Sequence, residues 1–264
     1  MKQFSILGRL MLLCIACSLS IPSHSQGVAI YKKDGTMVKY AYEENSIVTY
    51  NYGEEPGTPT VPDTPVTPPV ETEHQAIDLG LPSGIKWATM NVGATSPEDY
   101  GGYYAWGETE EKDNYEWSTY KWCNGSENTM TKYCTDSSYG TVDSKTALDL
   151  EDDVAHVKWG GSWRMPTSDE LKELYKNCTW TWTTQNGVNG YKVTGSNGNS
   201  IFLPAAGYRY GTGVYYRGSD GSCWSSSLYS NLSYSAYYLY FDSGHFDWYY
   251  GYRYYGHSVR PVSK

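Results

Sequence analysis

Half of this chain's tyrosines lie in its last fifth. Residues 208 to 256 hold 14 of the 28: Tyr208, Tyr210, Tyr215, Tyr216, Tyr229, Tyr234, Tyr237, Tyr238, Tyr240, Tyr249, Tyr250, Tyr252, Tyr254 and Tyr255. Ser, Gly, Asn and Asp fill the positions between them. A hydrophobic core does not accommodate so many phenols, because each buried hydroxyl needs a hydrogen-bond partner. A binding surface does. Tyrosine offers wide, amphipathic contact at low entropic cost, and small polar residues adapt around it. The tail therefore demands a fold that leaves a tyrosine face in solvent, and it points to recognition rather than catalysis.

The other end reads as a targeting segment over residues 1–25. Lys2 and Arg9 precede an apolar run from Leu10 to Leu19, too short to span a bilayer, and Ser23-His24-Ser25 offers small residues for cleavage near Ser25. Cys17 after Ile15-Ala16 resembles a lipoprotein acceptor, but Cys14 stands where such a motif prefers Leu, so cleavage is the favoured reading. Export to the cell surface, periplasm or medium follows as an expectation. No later stretch reaches 18 apolar residues, so no transmembrane segment is expected. Loss of the two cations would take the formal net charge from −9 to −11. Such a chain lacks the basic face that nucleic acid requires.

Export permits disulfides among Cys123, Cys134, Cys178 and Cys223. Four cysteines allow three pairings. The short loop favours Cys123 with Cys134, leaving Cys178 with Cys223, and free buried thiols are the alternative. No CxxC or close Cys/His spacing suggests a metal.

Along the chain, Val28–Tyr31 and Met37–Tyr40 flank Asp34-Gly35, a hairpin signal, and Ser46–Tyr50 is a third strand. Residues 26–52 thus form a small β unit. Residues 53–73 hold six of the 12 prolines, interspersed with Thr and Val, and read as an extended Pro/Thr-rich linker. Residues 74–264 have the size of one domain. Two helices are expected in it. One runs over 146–157; the other opens on the capping box Thr167-Ser168-Asp169-Glu170 and ends before Cys178. Strands are expected at 191–194, 200–205, 223–228, 236–241 and 258–262. The predicted class is α+β.

Six ordered stretches carry a resemblance. They are Asp78-Leu79-Gly80-Leu81-Pro82-Ser83-Gly84-Ile85-Lys86-Trp87-Ala88-Thr89, Gly102-Tyr103-Tyr104-Ala105-Trp106-Gly107-Glu108, Trp163-Arg164-Met165-Pro166-Thr167, Phe202-Leu203-Pro204-Ala205-Ala206-Gly207-Tyr208-Arg209, Trp224-Ser225-Ser226-Ser227 and Ser258-Val259-Arg260-Pro261-Val262. Over residues 76 to 263 they resemble the Fibrobacter succinogenes major paralogous domain, a family of exported bacterial proteins. That family is similar to the formylglycine-generating-enzyme branch of the C-type-lectin fold. The resemblance implies two helices flanking a central antiparallel sheet, with a display surface built by the C-terminal half. It also implies kinship with the variable targets of diversity-generating retroelements, whose variable positions are dense in Tyr, Asn, Ser, Asp and Gly.

Within the tail, Tyr249-Tyr250-Gly251-Tyr252-Arg253-Tyr254-Tyr255-Gly256 is the expected centre of recognition. A strand would send alternate rings to opposite faces, so the two glycines favour a loop or turn. His245, Asp247 and Trp248 precede it and share its surface; Tyr210, Tyr215, Tyr216 and Tyr229 are added candidates. Leu239 and Phe241 are assigned to core, as are the tryptophans of the motifs, Trp87, Trp106, Trp159, Trp163 and Trp224. The acidic run Glu151-Asp152-Asp153 supplies no calcium loop and reads as helix-terminus charge. The sugar-and-calcium tripeptide of true C-type lectins is absent, which argues against calcium-dependent sugar binding. No nucleophile elbow surrounds Ser225-Ser226-Ser227.

The expectation is a non-enzymatic binding protein without cofactor or metal, recognising a protein or glycan ligand through its Tyr-rich surface. The sequence sets no oligomeric state. A calcium-free carbohydrate-binding or adhesin module is the alternative. A copper-cysteine oxidase built on Cys178 and Cys223 is a third reading, and a structural envelope component a fourth.

Overall fold

Strands dominate because the chain is rich in aromatic and β-branched residues broken by glycine every few positions. The computed structural model describes residues 74–264, together with the backbone of three strands nearer the N-terminus. The targeting segment 1–25 and the linker 53–73 lie outside the described residues. The chain divides into two units, Met1–Thr67 and Pro68–Lys264. In the first, β1 (Gly27–Tyr31), β2 (Met37–Ala41) and β3 (Ile47–Tyr50) form an antiparallel meander, with Ile30 opposite Val38 and Lys39 opposite Val48.

The second unit, the head, is mostly antiparallel sheet with two α-helices, which the α+β class accommodates. In place of one central sheet, the described residues of the head hold four small ones. Strands β4 (Ala76–Asp78) and β5 (Lys86–Ala88) pair with the C-terminal β14 (Val262–Ser263). Strands β6 (Thr179–Gln185), β7 (Val188–Thr194) and β8 (Ser200–Pro204) form a meander, and β9 (Tyr208–Tyr210) pairs with β10 (Gly213–Tyr215). The third meander is β11 (Asp220–Leu228), β12 (Ser235–Asp242) and β13 (Phe246–Tyr252). Single bridges such as Cys223–Ser258 and Gly207–Gly221 join these pieces. Of the expected strand 258–262, only its end is a paired strand.

The second expected helix is α2 (Ser168–Asn177). Thr167 Oγ1 accepts from Glu170 N at 3.2 Å, Glu170 Oε2 accepts from Thr167 N at 2.8 Å, and Arg164 grips both Glu170 oxygens. The first helix is shorter and later than expected: α1 is Val154–Trp159. Asp153 caps it by accepting from Ala155 N and His156 N. Upstream, Leu148 N instead donates to Ser226 O, so the segment pairs with β11 rather than coiling. Leu239 and Phe241 are buried, as are Trp87, Trp106 and Trp224; Trp159 and Trp163 are only half-buried.

The four cysteines are all free. The expected Cys123–Cys134 and Cys178–Cys223 bridges are not formed. Cys123 Sγ donates to Trp117 O and Tyr120 O, while Cys134 Sγ donates to Asp136 O. Cys223 lies in the core with Leu239 and Phe241, and the partly buried Cys178 packs against the same cluster; both act as small apolar groups.

Candidate functional site

Strand β13 decides where the tyrosines go. Gly251 does not break it; the strand runs through to Tyr252, so the loop expected here is absent. Alternation then separates neighbouring rings. Tyr249 lies opposite Tyr238, and Asp247 opposite Tyr240, on one face. Tyr250 lies opposite Tyr237, and Trp248 opposite Leu239, on the other. Both faces emerge beyond the core at this end of the sheet, so Tyr249 and Tyr250 are both exposed.

On the first face a chain of ring contacts makes one shelf. Tyr216 and Tyr215 lie 6.0 and 5.8 Å from Tyr208, and Tyr208 lies 5.5 Å from Tyr255. Tyr210 lies 5.8 Å from Tyr255, and Tyr252, the last residue of β13 and in Tyr250's phase of the alternation, still meets Tyr255 at 5.7 Å at the strand's end. Beyond Gly251 the shelf continues through Tyr238 to Tyr249 (6.3 Å), Tyr240 and His245. A Cβ at 251 would sit 3.1 Å from the Tyr238 ring, a tight approach that the bare glycine leaves open. On the opposite face, Tyr229 and Tyr250 stack at 3.9 Å and 9°, beside Tyr237.

The expected site residues therefore separate. The shelf gathers Tyr210, Tyr215, Tyr216, Tyr249, Tyr252, Tyr255 and His245. Tyr229 and Tyr250 form the pair behind it. Trp248 also turns to that side, half-buried, with its ring 5.6 Å from Tyr175 of α2. Asp247 is half-buried and accepts from Trp248 N. Tyr254 is a correction: only 7% exposed, it packs 4.6 Å from Trp117 and belongs to the core. Among the described residues, the hydroxyls of Tyr210, Tyr215, Tyr216, Tyr249, Tyr250 and Tyr252 make no hydrogen bond. Burial and neighbouring phenols raise the pKa of Tyr208 and Tyr255, and burial pushes Tyr238 up to about 12, so these rings present neutral hydroxyls.

Sequence reasoning missed what holds the shelf. Arg253, in the middle of the tyrosine run, is fully buried. It donates to the Tyr120 hydroxyl (2.8 Å) and to the carbonyls of Ser233 (2.8 Å), Tyr133 (3.1 Å) and Lys132 (3.1 Å). Its guanidinium also lies 4.8 Å from the Trp106 ring. Arg260, equally buried, donates to Asn91 Oδ1 and to the carbonyls of Ala88 and Phe202, with its pKa lowered to about 10 by burial. Arg260 stands in one of the six ordered stretches, but no local signal marks either residue as buried, because apart from Ser233 their partners lie 58 or more residues upstream. Tyr208, Tyr238 and Tyr240 were likewise left out of the expected site, though all three lie in the tail.

Two other constellations are accounted for locally. Asp149, Glu151 and Asp152 bring carboxylates together, but Lys132 Nζ sits among them, 2.7 Å from Asp149 and Asp152 and 3.6 Å from Glu151. Bonds to Lys132 and Lys145 hold Asp149 down at about 2. The thiols of Cys178 and Cys223 are pushed up to about 11 by burial, so neither is a thiolate near neutral pH.

A family model described as a domain of unknown function (DUF8237) matches residues 164–262. No curated protein and no solved structure matches the chain. The matched segment begins and ends on residues that pair: Arg164 N donates to Val262 O, and Val262 N donates to Arg164 O. It contains the whole shelf. No helix among the described residues is long and apolar enough to cross a membrane.

Proposed function

We propose that this chain is an exported, surface-displayed binding protein whose head holds a macromolecular ligand, a protein or a glycan, against the tyrosine shelf. One observation carries the reading. Exposed tyrosines with unbonded hydroxyls stand on a backbone pinned from within by Arg253. Exposed aromatic rings of this extent mark interaction sites, with hydroxyls available for hydrogen bonds at the rim. The head is proposed to be a C-type-lectin-like domain related to the Fibrobacter succinogenes major paralogous domain. Two helices ahead of antiparallel strands, with β14 closing back onto β5, support that fold. The protonated thiols of Cys178 and Cys223 lend nothing to an oxidase.

The test is capture by the full chain from extracellular and envelope fractions, with the ligand identified by mass spectrometry and glycan array. The combined replacement of Tyr216, Tyr249 and Tyr252 by Ala should abolish capture and leave the melting temperature within a few degrees of the parent. Undiminished capture would sink the proposal, and so would a collapse in stability.

A further inference from the structure

His257 lies directly beneath the shelf and lacks what a buried polar side chain normally has. It is 2% exposed, and neither Nδ1 nor Nε2 has a hydrogen-bond partner. Its backbone is satisfied by reciprocal bonds with Tyr104. A neutral imidazole carries one donor and one acceptor, and buried groups left without both are rare enough to call for a cause. Burial pushes this imidazole down to about 3, so it is neutral at physiological pH.

The ring rests on Trp224, 4.2 Å away, and is covered by Tyr238 (4.7 Å), Tyr208 (5.9 Å) and Tyr255 (6.0 Å). All three covering rings are partly buried and reach the surface. Among the described residues the hydroxyls of Tyr208 and Tyr238 bond to nothing. Over those two the cover is therefore held by ring packing, with no hydrogen bond among the described residues to lock it.

We propose that His257 is the polar floor of the shelf and that the ligand is a neutral glycan, one of whose hydroxyls reaches the imidazole between Tyr208, Tyr238 and Tyr255. A sugar hydroxyl both donates and accepts, which is what a neutral imidazole lacks here. The flat carbon–hydrogen faces of a pyranose match the ring faces around it. An anionic ligand would call for an imidazolium, which burial opposes, and a chain of net charge −9 repels acidic polymers. The inference rests on the shelf being a binding surface. It adds the ligand class and a residue that sets specificity.

The experiment uses the full chain on an array of neutral and acidic glycans. The strongest neutral hit is then titrated against the parent, His257→Phe and Tyr249→Ala. His257→Phe should fold with an unchanged or higher melting temperature and bind about tenfold more weakly or worse, because only the hydroxyl's partner is gone. The His257 ring nitrogens of the parent should shift in 15N spectra when the sugar is added. Full affinity in His257→Phe overturns the inference. So do hits confined to acidic glycans, no glycan hit at all, or an ordered water on either nitrogen in a crystal of the free protein. If Tyr249→Ala weakens binding while His257→Phe does not, only this inference falls. If neither matters, or if protein capture also survives the loss of the shelf tyrosines, the shelf reading falls with it.

Discussion

Two regions of the head are both rich in aromatic rings and have opposite fates. In the stretch from Tyr103 to Tyr133, the tyrosines are sealed inside, and all but Tyr104 have definite targets for their hydroxyls. Tyr103 donates to Ala206 O, Tyr115 to Tyr103 O, Tyr120 to Trp106 O, and Tyr133 to Asp152, all within 2.7 Å. In the stretch from Tyr208 to Tyr255, only Tyr254 is sealed, and the exposed hydroxyls have no targets. Tyrosine is denser in the second region, but density alone does not decide which rings are sealed. The difference is whether the fold brings an acceptor within reach of each phenol oxygen. The upstream stretch has almost no regular structure, so its side chains replace the ladder bonds that strands would have supplied.

Arg253 ties the two regions together, and its removal should have the largest effect. Arg253→Met deletes a buried charge and strands the acceptors of Lys132, Tyr133, Ser233 and Tyr120 together. A loss of about 3–5 kcal/mol is expected, read as a shift of the urea midpoint. If Arg253→Met leaves the midpoint in place, the shelf does not depend on the upstream block, and the two regions are independent.

The next effect comes from acid. Folded His257 stays neutral down to about pH 3, whereas the unfolded chain takes up a proton at its ordinary value near 6.5. Falling pH therefore favours unfolding across that window, and above pH 6.5 the residue contributes no slope. From pH 6.5 to 4.5 the parent should lose up to about 1.4 kcal/mol per pH unit relative to His257→Phe. Denaturant melts of both proteins at four pH values measure the difference. Parallel pH profiles would show that the imidazole has water or a partner in solution.

Much of the scaffold was legible because its signals are local. The Thr167–Glu170 capping box gave α2, and alternation across Ala236 to Phe241 gave β12 with Leu239 and Phe241 inside. The misreadings share a cause, which is that pairing and packing partners outside each segment's own pattern decide them. Strand β13 was read as a loop because its two faces are lined by phenols and neither is wholly core. It is a strand because β12 pairs with it residue for residue. Tyr254 looked like a neighbour of Tyr252 and Tyr255, but Trp117, far away in sequence, buries it. A charged residue amid tyrosines reads as surface, and only the carbonyls of 132, 133 and 233 make Arg253 core. The first helix moved because β11 claims its expected first turn.

The smallest effects test the comparison one oxygen at a time. Tyr120→Phe removes the hydroxyl that donates to Trp106 O and accepts from Arg253 Nε, leaving both partners buried and unsatisfied. A cost of about 1–3 kcal/mol is expected. Tyr216 is 59% exposed and its hydroxyl has no partner among the described residues, so Tyr216→Phe should stay within about 0.5 kcal/mol of the parent. Equilibrium urea unfolding of the two variants, run side by side, isolates the hydroxyl because ring area is conserved. Equal costs would mean that the open rings are held by bonds of their own, and that tyrosine is used in one way throughout the head. An unequal result assigns the two regions their roles: phenol oxygens as internal staples upstream, and as unspent hydrogen-bonding capacity on the shelf.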